Sequence, residues 1–332
     1  MKSCVIGGGS WGIALASVLA KKGPVTLWAR DPYVVDGINE THRNPRYQTE
    51  IELSPIIRAS HSLKDSIDGA ELICVVVPSH AMRTVMAEAA PFFEPGVPIV
   101  SASKGIENES LMTMEAVLCD VLPSSTRGDL AFLSGPSFAR ETLLEMATAV
   151  TVAARTTEVA DMVQQAFSTP FFRVYTTDDV VGVEFGGALK NVIAIAAGIV
   201  AGMGLGHNTR AALLTRGLAE ISRLAMHHGA NPLTLGGLSG MGDLVLTCTG
   251  DLSRNRAVGY RLGQGESLHQ ILSEMKEVAE GVKTTKSAYD LARREDVEMP
   301  ITTEVYRILY DGKPAQTALM ELMSRQLKRE RT

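Results

Sequence analysis

The sequence predicts a doubly wound α/β domain, followed by an all-helical C-terminal domain. Over residues 1–178, short apolar stretches typical of buried strands alternate with helical patterns, which indicates crossover connections and a mostly parallel sheet. Beyond Asp178 no stretch is typical of a strand, and apolar residues recur at helical spacing instead. The 332 residues are enough for two domains with a core each. We therefore divide the chain into residues 1–178 and 179–332.

Seven strand-like stretches are found in the first domain. They read SCVIGG at the start of the chain, then VTLWA, ELICVVV (71–77), PIVSAS (98–103), LAFLSG (130–135), ATAVTVAA (147–154) and FFRVY (171–175). Helical patterns fill most of the gaps between them, at about 10–22, 80–90, 110–121 and 157–167. The segment 42–58, which contains two prolines, is predicted to be a loop insertion.

Helical spacing in the second domain predicts helices over 180–204, 208–228, 281–295, 301–310 and 314–327. Residues 192–206 lack a polar side chain, but this run is shorter than the roughly 18 residues that a membrane-spanning helix needs. A buried helix is therefore expected, and no integral membrane segment. Arg216 and Glu220 lie one helical turn apart and are expected to form a surface pair.

Composition restricts the partners and the compartment. The net charge is −5 without a long basic run, which argues against a nucleic-acid partner. No signal peptide is expected, because a strand begins by Ser3. The cysteines lie far apart, at Cys4, Cys74, Cys119 and Cys248. Cys4 and Cys74 lie in apolar strand-like runs, so reduced core thiols and a cytoplasmic location are expected. No metal is expected, because His207, His227 and His228 show no ligand spacing with carboxylates.

A glycine-rich turn follows the first strand and opens a helix. The sequence VIGGGSWGIALA contains the pattern Gly7-x-Gly9-x-x-Gly12, which in this context indicates dinucleotide binding in a Rossmann-type domain. Gly7 permits the tight turn, Gly9 lets the backbone approach a pyrophosphate, and Gly12 lets helix and strand pack closely. Ser10 and Trp11 of the same turn are expected to contact the cofactor.

The second strand ends in LWARDP, where an acid usually holds the ribose of NAD. Arg30 comes first here, and its guanidinium suits a 2′-phosphate, so NADP is favoured over NAD. Asp31 resembles a helix N-cap with proline at the first helical position. The alternative is that Arg30 stacks on the adenine or is solvated.

Seven motifs occur in order along nearly the whole chain: GGGSWG, VVVPSH, SASKG, LSGPSFARE, GGALKNVIAI, GMGDLVLTCTGDLSRNR and VAEG. In these the sequence resembles bacterial NAD(P)-dependent glycerol-3-phosphate dehydrogenase. The resemblance implies reversible reduction of dihydroxyacetone phosphate to sn-glycerol 3-phosphate with NADPH or NADH, which feeds glycerophospholipid synthesis; a homodimer is possible. The chain departs from the family pattern at Gly8, where alanine is common, and at Ile13, where threonine is usual.

The resemblance makes Lys190 the catalytic acid and base. The residue types agree with this role, because an apolar setting depresses the pKa of a lysine and makes it a competent proton donor. A helical side chain leans toward the N-terminus of its helix, so Lys190 would cover Gly186 and Gly187. We expect these glycines to leave room for a small ligand.

The remaining site residues also follow from the resemblance. Lys104, just past a strand end, is expected to serve both substrate and cofactor. The other expected substrate contacts are Gly135, Ser137, Asp243, Ser253, Arg254 and Asn255. The other expected cofactor contacts are Ala139, Arg254, Val278 and Glu280. Asp243 would lie by the substrate hydroxyls or orient Lys190. The hydroxyl, guanidinium and amide of SRN suit a phosphate, all the more if Ser253 opens a helix.

Two other functions remain open from the sequence. One is a reductase of the same fold that acts on an acid without phosphate, such as ketopantoate, against which the SRNR cluster speaks. The other is a non-catalytic NADP(H) sensor, which would need the glycine turn but not Lys104, Lys190 and Asp243 together.

Overall fold

The structure is a computed structural model that describes residues 1–275, 279–327 and 329–330. An eight-stranded sheet forms the first domain. Its strands are β1 (Ser3–Ile6), β2 (Val25–Trp28), β3 (Ile57–Ser60), β4 (Leu72–Val75), β5 (Ile99–Ser101), β6 (Leu130–Ser134), β7 (Thr148–Ala154) and β8 (Phe172–Thr177).

Helices cover both faces of this sheet, and their apolar sides and the strands form two clusters of buried residues. They are α1 (Ser10–Leu19), α2 (Pro32–Thr41), α3 (Leu63–Ile67), α4 (Ser79–Ala89), α5 (Met114–Val121), α6 (Ala139–Leu143) and α7 (Thr157–Phe167), with short 3-10 helices at Ala90–Phe92 and Ser124–Asp129.

The strand order is β3-β2-β1-β4-β5-β6-β7-β8. All neighbouring strands are parallel except β6 and β7, which are antiparallel. The first six strands have the order of a doubly wound dinucleotide-binding fold, so the predicted fold class is confirmed. In such a sheet the chain leaves β1 and β4 in opposite directions, which opens a crevice at their carboxyl ends.

One part of the predicted loop insertion is wrong, because β3 begins at Ile57 within the segment 42–58. The strand has four residues and lies at the edge of the sheet, where it pairs with β2. So short an edge strand carries little periodicity, and Pro55 just before it reads as a breaker.

The described residues that follow β8 fold into helices around α8 (Val180–Gly202). The others are α9 (His207–His227), α10 (Pro232–Leu235), α11 (Asp243–Thr249), α12 (Arg254–Gly263), α13 (Leu268–Glu274), α14 (Glu280–Arg294), α15 (Pro300–Tyr310) and α16 (Ala315–Met323), with a π-helical turn at Leu238–Gly242. The all-helical C-terminal domain is thereby confirmed.

Helix α8 is the buried axis of the helical domain. It is long and apolar enough to cross a membrane, but 89% of its apolar window is buried inside the protein, so the expectation of a buried helix is confirmed. Glycines let α12 lie directly against it: a Cβ added to Gly259 would lie 2.0 Å from the carbonyl oxygen of Ile195. This contact fixes the start of α12 relative to Lys190 on α8.

The predicted surface pair of Arg216 and Glu220 is wrong. The Glu220 side chain is buried and accepts hydrogen bonds from the backbone N–H groups of Ile301 (2.5 Å) and Thr302 (3.1 Å). It therefore caps the start of α15, where unpaired N–H groups attract a carboxylate. Glu220 lies on the buried face of α9 beside Ile221, which a pairwise spacing rule does not take into account.

Candidate active site

A cleft of about 880 Å³ extends from the glycine-rich turn to α8 and is lined by residues of both domains. Nearly all the predicted site residues line it: Gly7, Gly9, Ser10, Trp11, Gly12, Arg30, Lys104, Ser137, Ala139, Lys190, Asp243, Ser253, Arg254, Asn255 and Glu280. Gly135 lies behind this lining, and Val278 is outside the described residues. The fold therefore brings together predicted residues that lie as far apart in the chain as Gly7 and Glu280.

The glycine-rich turn has the geometry that the motif requires. The φ angle of Gly7 is +135°, and a Cβ added to Gly12 would lie 1.8 Å from the carbonyl oxygen of Gly7, so β1 and α1 meet without room for a side chain. A Cβ on Gly9, in contrast, would meet no atom within 4 Å, because this residue faces the open cleft. Gly9 also precedes α1, whose first N–H groups suit an anion.

Gly8 is one of the two departures from the family pattern. A Cβ at this position would come within 2.7 Å of the Cβ of Ala29, so the methyl group of Ala29 occupies the space that an alanine here would need. Ile13, the other departure, is buried among the apolar side chains between α1 and the sheet.

The centre of the cleft contains one carboxylate and two ammonium groups. Lys190 Nζ donates to Asp243 Oδ1, and it also donates to Thr247 Oγ1 at 2.9 Å. Lys104 Nζ donates to the other oxygen, Asp243 Oδ2, at 2.6 Å. Asp243 is 1% exposed and Lys190 7% exposed. Asp243 therefore holds both lysines at once, which supports the orienting role among the two expected for it.

Burial and charge set the protonation of this cluster. Burial lowers the pKa of Lys190 to about 8, although the Asp243 carboxylate opposes this change and the Lys104 ammonium adds to it. Burial by itself would raise the pKa of Asp243, but the two ammonium groups outweigh it and hold that pKa below its ordinary value. At neutral pH Asp243 is thus ionised, and Lys190 can both give and take a proton.

The expectation for Gly186 and Gly187 is wrong. A Cβ on Gly186 would lie 2.6 Å from the carbonyl oxygen of Ser239, and one on Gly187 would lie 2.7 Å from Ser134 Oγ. These glycines leave no room for a ligand, because neighbouring chain segments already fill the space. They let α8 approach the sheet and the turn before α11, which brings Lys190 close to Asp243.

Lys104 reaches the cleft from the carboxyl end of β5, as expected of a residue past a strand end. The segment after β6 supports it from behind. The carbonyl oxygen of Gly135 accepts from Ser137 Oγ at 3.1 Å and lies 3.5 Å from Lys104 Nζ. Ala139, two residues further on, begins α6.

The SRN segment forms a helix start, as the sequence predicts. Ser253 is the N-cap of α12, and its hydroxyl accepts from the N–H of Arg256 at 3.3 Å. Asn255 Oδ1 accepts from the N–H of Gly281 at 2.9 Å, so Asn255 has its NH₂ group to offer an anion. The ten-residue helix thus begins at the cleft with a guanidinium, an amide and its own N–H groups.

At the far end of the cleft, Asp31 is the N-cap of α2 and accepts from the N–H of Tyr33 at 3.1 Å, as predicted. Arg30 is exposed there. Glu280 lies in the first turn of α14 and is half-buried. Burial raises the pKa of its carboxyl, while the charge of Arg254 opposes that change.

Two residues that support the site were not predicted from the sequence. Thr247 bonds Lys190 and lies one helical turn after Asp243 on α11, so its position on the same helix face was a usable signal. Asn44 is fully buried and its NH₂ group donates to the carbonyl oxygen of Gly8 at 2.9 Å. No sequence pattern indicated that contact.

Comparison with known proteins adds a family to this geometry. Residues 2–160 match the family model described as NAD-dependent glycerol-3-phosphate dehydrogenase N-terminus, and residues 179–320 match its C-terminus. Proteins named glycerol-3-phosphate dehydrogenase [NAD(P)+] are similar to this chain in Geobacter sulfurreducens (58% identical, 98% of each chain covered) and in Myxococcus xanthus (55% identical, 99% of each).

A solved structure agrees with these relatives. The crystal structure of glycerol-3-phosphate dehydrogenase from Coxiella burnetii superimposes with a TM-score of 0.92 at 37% identity, and the match covers 98% of this chain and 99% of that one. The sequence matches and the structural match each extend over almost the full length of both chains. The chain therefore belongs to the NAD-dependent glycerol-3-phosphate dehydrogenase family.

Proposed function

We propose that this protein reduces dihydroxyacetone phosphate to sn-glycerol 3-phosphate with NADPH or NADH, and catalyses the reverse reaction. The observation that carries the proposal is the buried Asp243 carboxylate with an ammonium group on each oxygen, in a cleft that begins at a dinucleotide-binding turn. The names of the relatives agree with this substrate.

The glycine-rich turn fits the cofactor. The open side of Gly9 and the first N–H groups of α1 suit a pyrophosphate, and Ser10 and Trp11 border the same space. Ala139 and Glu280 would contact the cofactor from α6 and α14. When bound, the reduced nicotinamide supplies the hydride that a ketone needs.

Lys190 supplies the proton. As the carbonyl carbon of the substrate gains a hydride, its oxygen gains negative charge, and the Lys190 ammonium donates a proton to it. In the reverse direction the neutral amine takes the hydroxyl proton. The lowered pKa suits both directions near neutral pH, and Asp243 with Thr247 holds the amine in place.

Lys104 adds a second positive charge beside the reacting oxygen. Its ammonium is held at 2.6 Å by Asp243 and supported by the carbonyl oxygen of Gly135. A fixed charge at this point stabilises the developing alkoxide without having to reorient. Ser137, whose hydroxyl lies in the same loop, completes the substrate side of the cleft.

The phosphate of the substrate would bind at the start of α12. Arg254 offers a fork of N–H donors, Asn255 offers its NH₂ group, and the helix N-terminus after Ser253 favours negative charge. A reductase of a keto acid without phosphate does not need a phosphate-binding site, and a non-catalytic sensor does not need the lysine cluster.

The experiment that tests this function follows the nicotinamide absorbance of NADPH with dihydroxyacetone phosphate, with ketopantoate, and without substrate. We expect oxidation of NADPH in the assay with dihydroxyacetone phosphate and not in the other two assays. Oxidation only in the assay with ketopantoate would indicate the related reductase. Binding of NADPH without oxidation in any assay would indicate the sensor.

We further propose that the domains divide at residue 178, so that the reaction takes place between them, and that the product feeds glycerophospholipid synthesis in the cytoplasm.

We also propose a homodimer, which would cover exposed apolar side chains such as Met323, 76% exposed at the end of α16. Sedimentation equilibrium tests the dimer.

A further inference from the structure

The loop between α2 and β3 returns to the glycine-rich turn and is fastened to it. Asn44 is fully buried in this loop, and its NH₂ group donates to the carbonyl oxygen of Gly8 at 2.9 Å. Its carbonyl oxygen accepts from the backbone N–H groups of Arg46 (2.9 Å) and Tyr47 (3.0 Å). A buried amide with both ends bonded defines the path of this loop.

This anchoring places Arg46 beside the end of β2. Arg46 Nε donates to Asp31 Oδ2 at 2.5 Å, and its guanidinium carbon lies 5.6 Å from the ring centre of Tyr33. Arg30, Asp31 and Arg46 all line the cleft. In this fold the adenosine ribose binds at the end of the second strand, so two guanidinium groups and one carboxylate surround that position.

Asp31 would be the acid that accepts the ribose hydroxyls of NAD, but both of its oxygens already have donors. Oδ1 accepts from the N–H of Tyr33, and Oδ2 accepts from Arg46. A free carboxylate here would repel a 2′-phosphate, whereas one paired with Arg46 is neutralised. Arg46 thus removes an obstacle to the phosphate and supplies a cation for it.

We propose that Arg46 is a specificity-determining residue that recognises the 2′-phosphate of NADP(H), in addition to the predicted role of Arg30. This inference rests on the proposed function only in assuming a nicotinamide cofactor. The ion pair is half-exposed, with 54% of the Arg46 and 36% of the Asp31 side chain accessible. Such a pair is weak and rearranges easily, so Arg46 can donate to a phosphate when one is present and stay on Asp31 when NADH binds.

The test is equilibrium binding of NADPH and NADH, measured without substrate through tryptophan fluorescence. The chain has two tryptophans, Trp11 and Trp28, and both line the cleft. Arg46→Ala should weaken NADPH binding by about 10- to 150-fold, the range for a lost hydrogen bond to a charged group. NADH binding should stay the same or improve, because the Asp31 carboxylate becomes free to accept from the ribose.

Arg43→Ala is the matched control. Arg43 lies in the same loop but donates to the carbonyl oxygen of Glu50 (2.6 Å) and pairs with Glu52 (3.1 Å), away from the cleft lining. It should change neither affinity. The competitors 2′,5′-ADP and ADP provide a second readout, since Arg46→Ala should weaken only the first.

Three outcomes would overturn the proposal. An equal loss for NADPH and NADH would show that Arg46 merely holds the loop, and unchanged NADPH binding would leave the phosphate to other groups. The third outcome comes from the Asp31→Asn background, in which the asparagine still caps the helix but carries no negative charge. Arg46→Ala should reduce NADPH affinity less in that background, and an identical reduction would contradict the neutralising role. Because no reaction is measured, these results stand apart from the proposed reduction of dihydroxyacetone phosphate.

Discussion

Replacing Asp243 with asparagine tests whether one carboxylate positions and charges both lysines. The two side chains have nearly the same shape, so Asp243→Asn removes the negative charge and leaves the volume of the buried site unchanged. In the native protein each carboxylate oxygen accepts from one ammonium group. The variant would place two ammonium groups around a neutral amide, in a site where Asp243 is 1% exposed.

The magnitude follows from this burial. Removing one partner of a buried ion pair costs about 3–5 kcal/mol because the remaining charge is uncompensated. Lys190 can avoid most of this cost by losing its proton, since its pKa already lies near 8 and the Asp243 charge opposes any further lowering. The proton donor for ketone reduction would then be absent at neutral pH, which reduces turnover by about 10²–10⁴-fold.

The assay is the pH profile of kcat/KM for dihydroxyacetone phosphate reduction. In the native enzyme the reduction needs the ammonium form of Lys190, so kcat/KM should fall as the pH rises through about 8. Loss of the Asp243 charge favours the neutral amine, so in the variant this fall should move to lower pH. Asp251→Asn is the matched control, because Asp251 is exposed and pairs only with Arg256 among the contacts described for it.

A profile that falls at the same pH in Asp243→Asn and in the native enzyme would refute this reasoning. If kcat/KM is lower in the variant but declines over the same pH range as in the native enzyme, Asp243 has a purely structural role. Thermal unfolding of both variants separates that case from a loss of folded protein.

Changes at the phosphate site, at the glycine-rich turn and at Glu220 test three further features of the protein. Arg254→Ala should lower kcat/KM for dihydroxyacetone phosphate by about 30- to several-thousand-fold, the effect of losing one partner of a desolvated charge pair, and should leave the slow reduction of unphosphorylated dihydroxyacetone nearly unchanged; equal fractional losses in the two assays would move the phosphate site elsewhere. Gly12→Ala should lower the melting temperature because its Cβ would clash with Gly7, whereas Gly9→Ala should melt normally and weaken NADPH binding measured by tryptophan fluorescence; the reverse order would contradict the geometry of the turn. Burial raises the pKa of Glu220 to about 7, above its unfolded value, so its ionisation removes stability as the pH rises from about 4.5 to 7; Glu220→Gln should remove that part of the pH dependence of the unfolding free energy, and an unaltered dependence would disprove it.

The helices and strands that local signals determine were predicted most accurately from the sequence. The helix α7 was expected at 157–167 and has those bounds, because Thr156 caps a strongly amphipathic segment. The helix after Ser253 likewise follows from a capping serine. The predicted strands are apolar runs too short to be confused with exposed helices, and their alternation with helices was enough for the fold class.

Contacts between distant segments were beyond local reasoning. Lys104 and Asp243 are separated by 139 positions, and no spacing rule predicts that Lys104 shares the Asp243 carboxylate with Lys190. The motifs placed all three in one site, but only packing of α8 against the sheet shows that Asp243 orients the lysines.

The interpretation of Gly186 was incorrect for a physical reason. A missing side chain was interpreted as space for a ligand, whereas a closely packed interior fills such space with neighbouring backbone. The glycines still serve the site, because close approach of Ser239 to α8 brings Asp243 to Lys190.

The central claim is that Lys190 gives the proton to the substrate oxygen. Turnover of dihydroxyacetone phosphate with NADPH by Lys190→Ala tests this most directly, with NADPH binding measured in parallel. Asp243 keeps Lys104 as a partner in this variant, so the fold and NADPH binding should be retained. We predict a loss of turnover of at least about 10²–10⁴-fold, the contribution of general acid–base catalysis. Retention of more than roughly a tenth of the native turnover, far above that range, would contradict the claim.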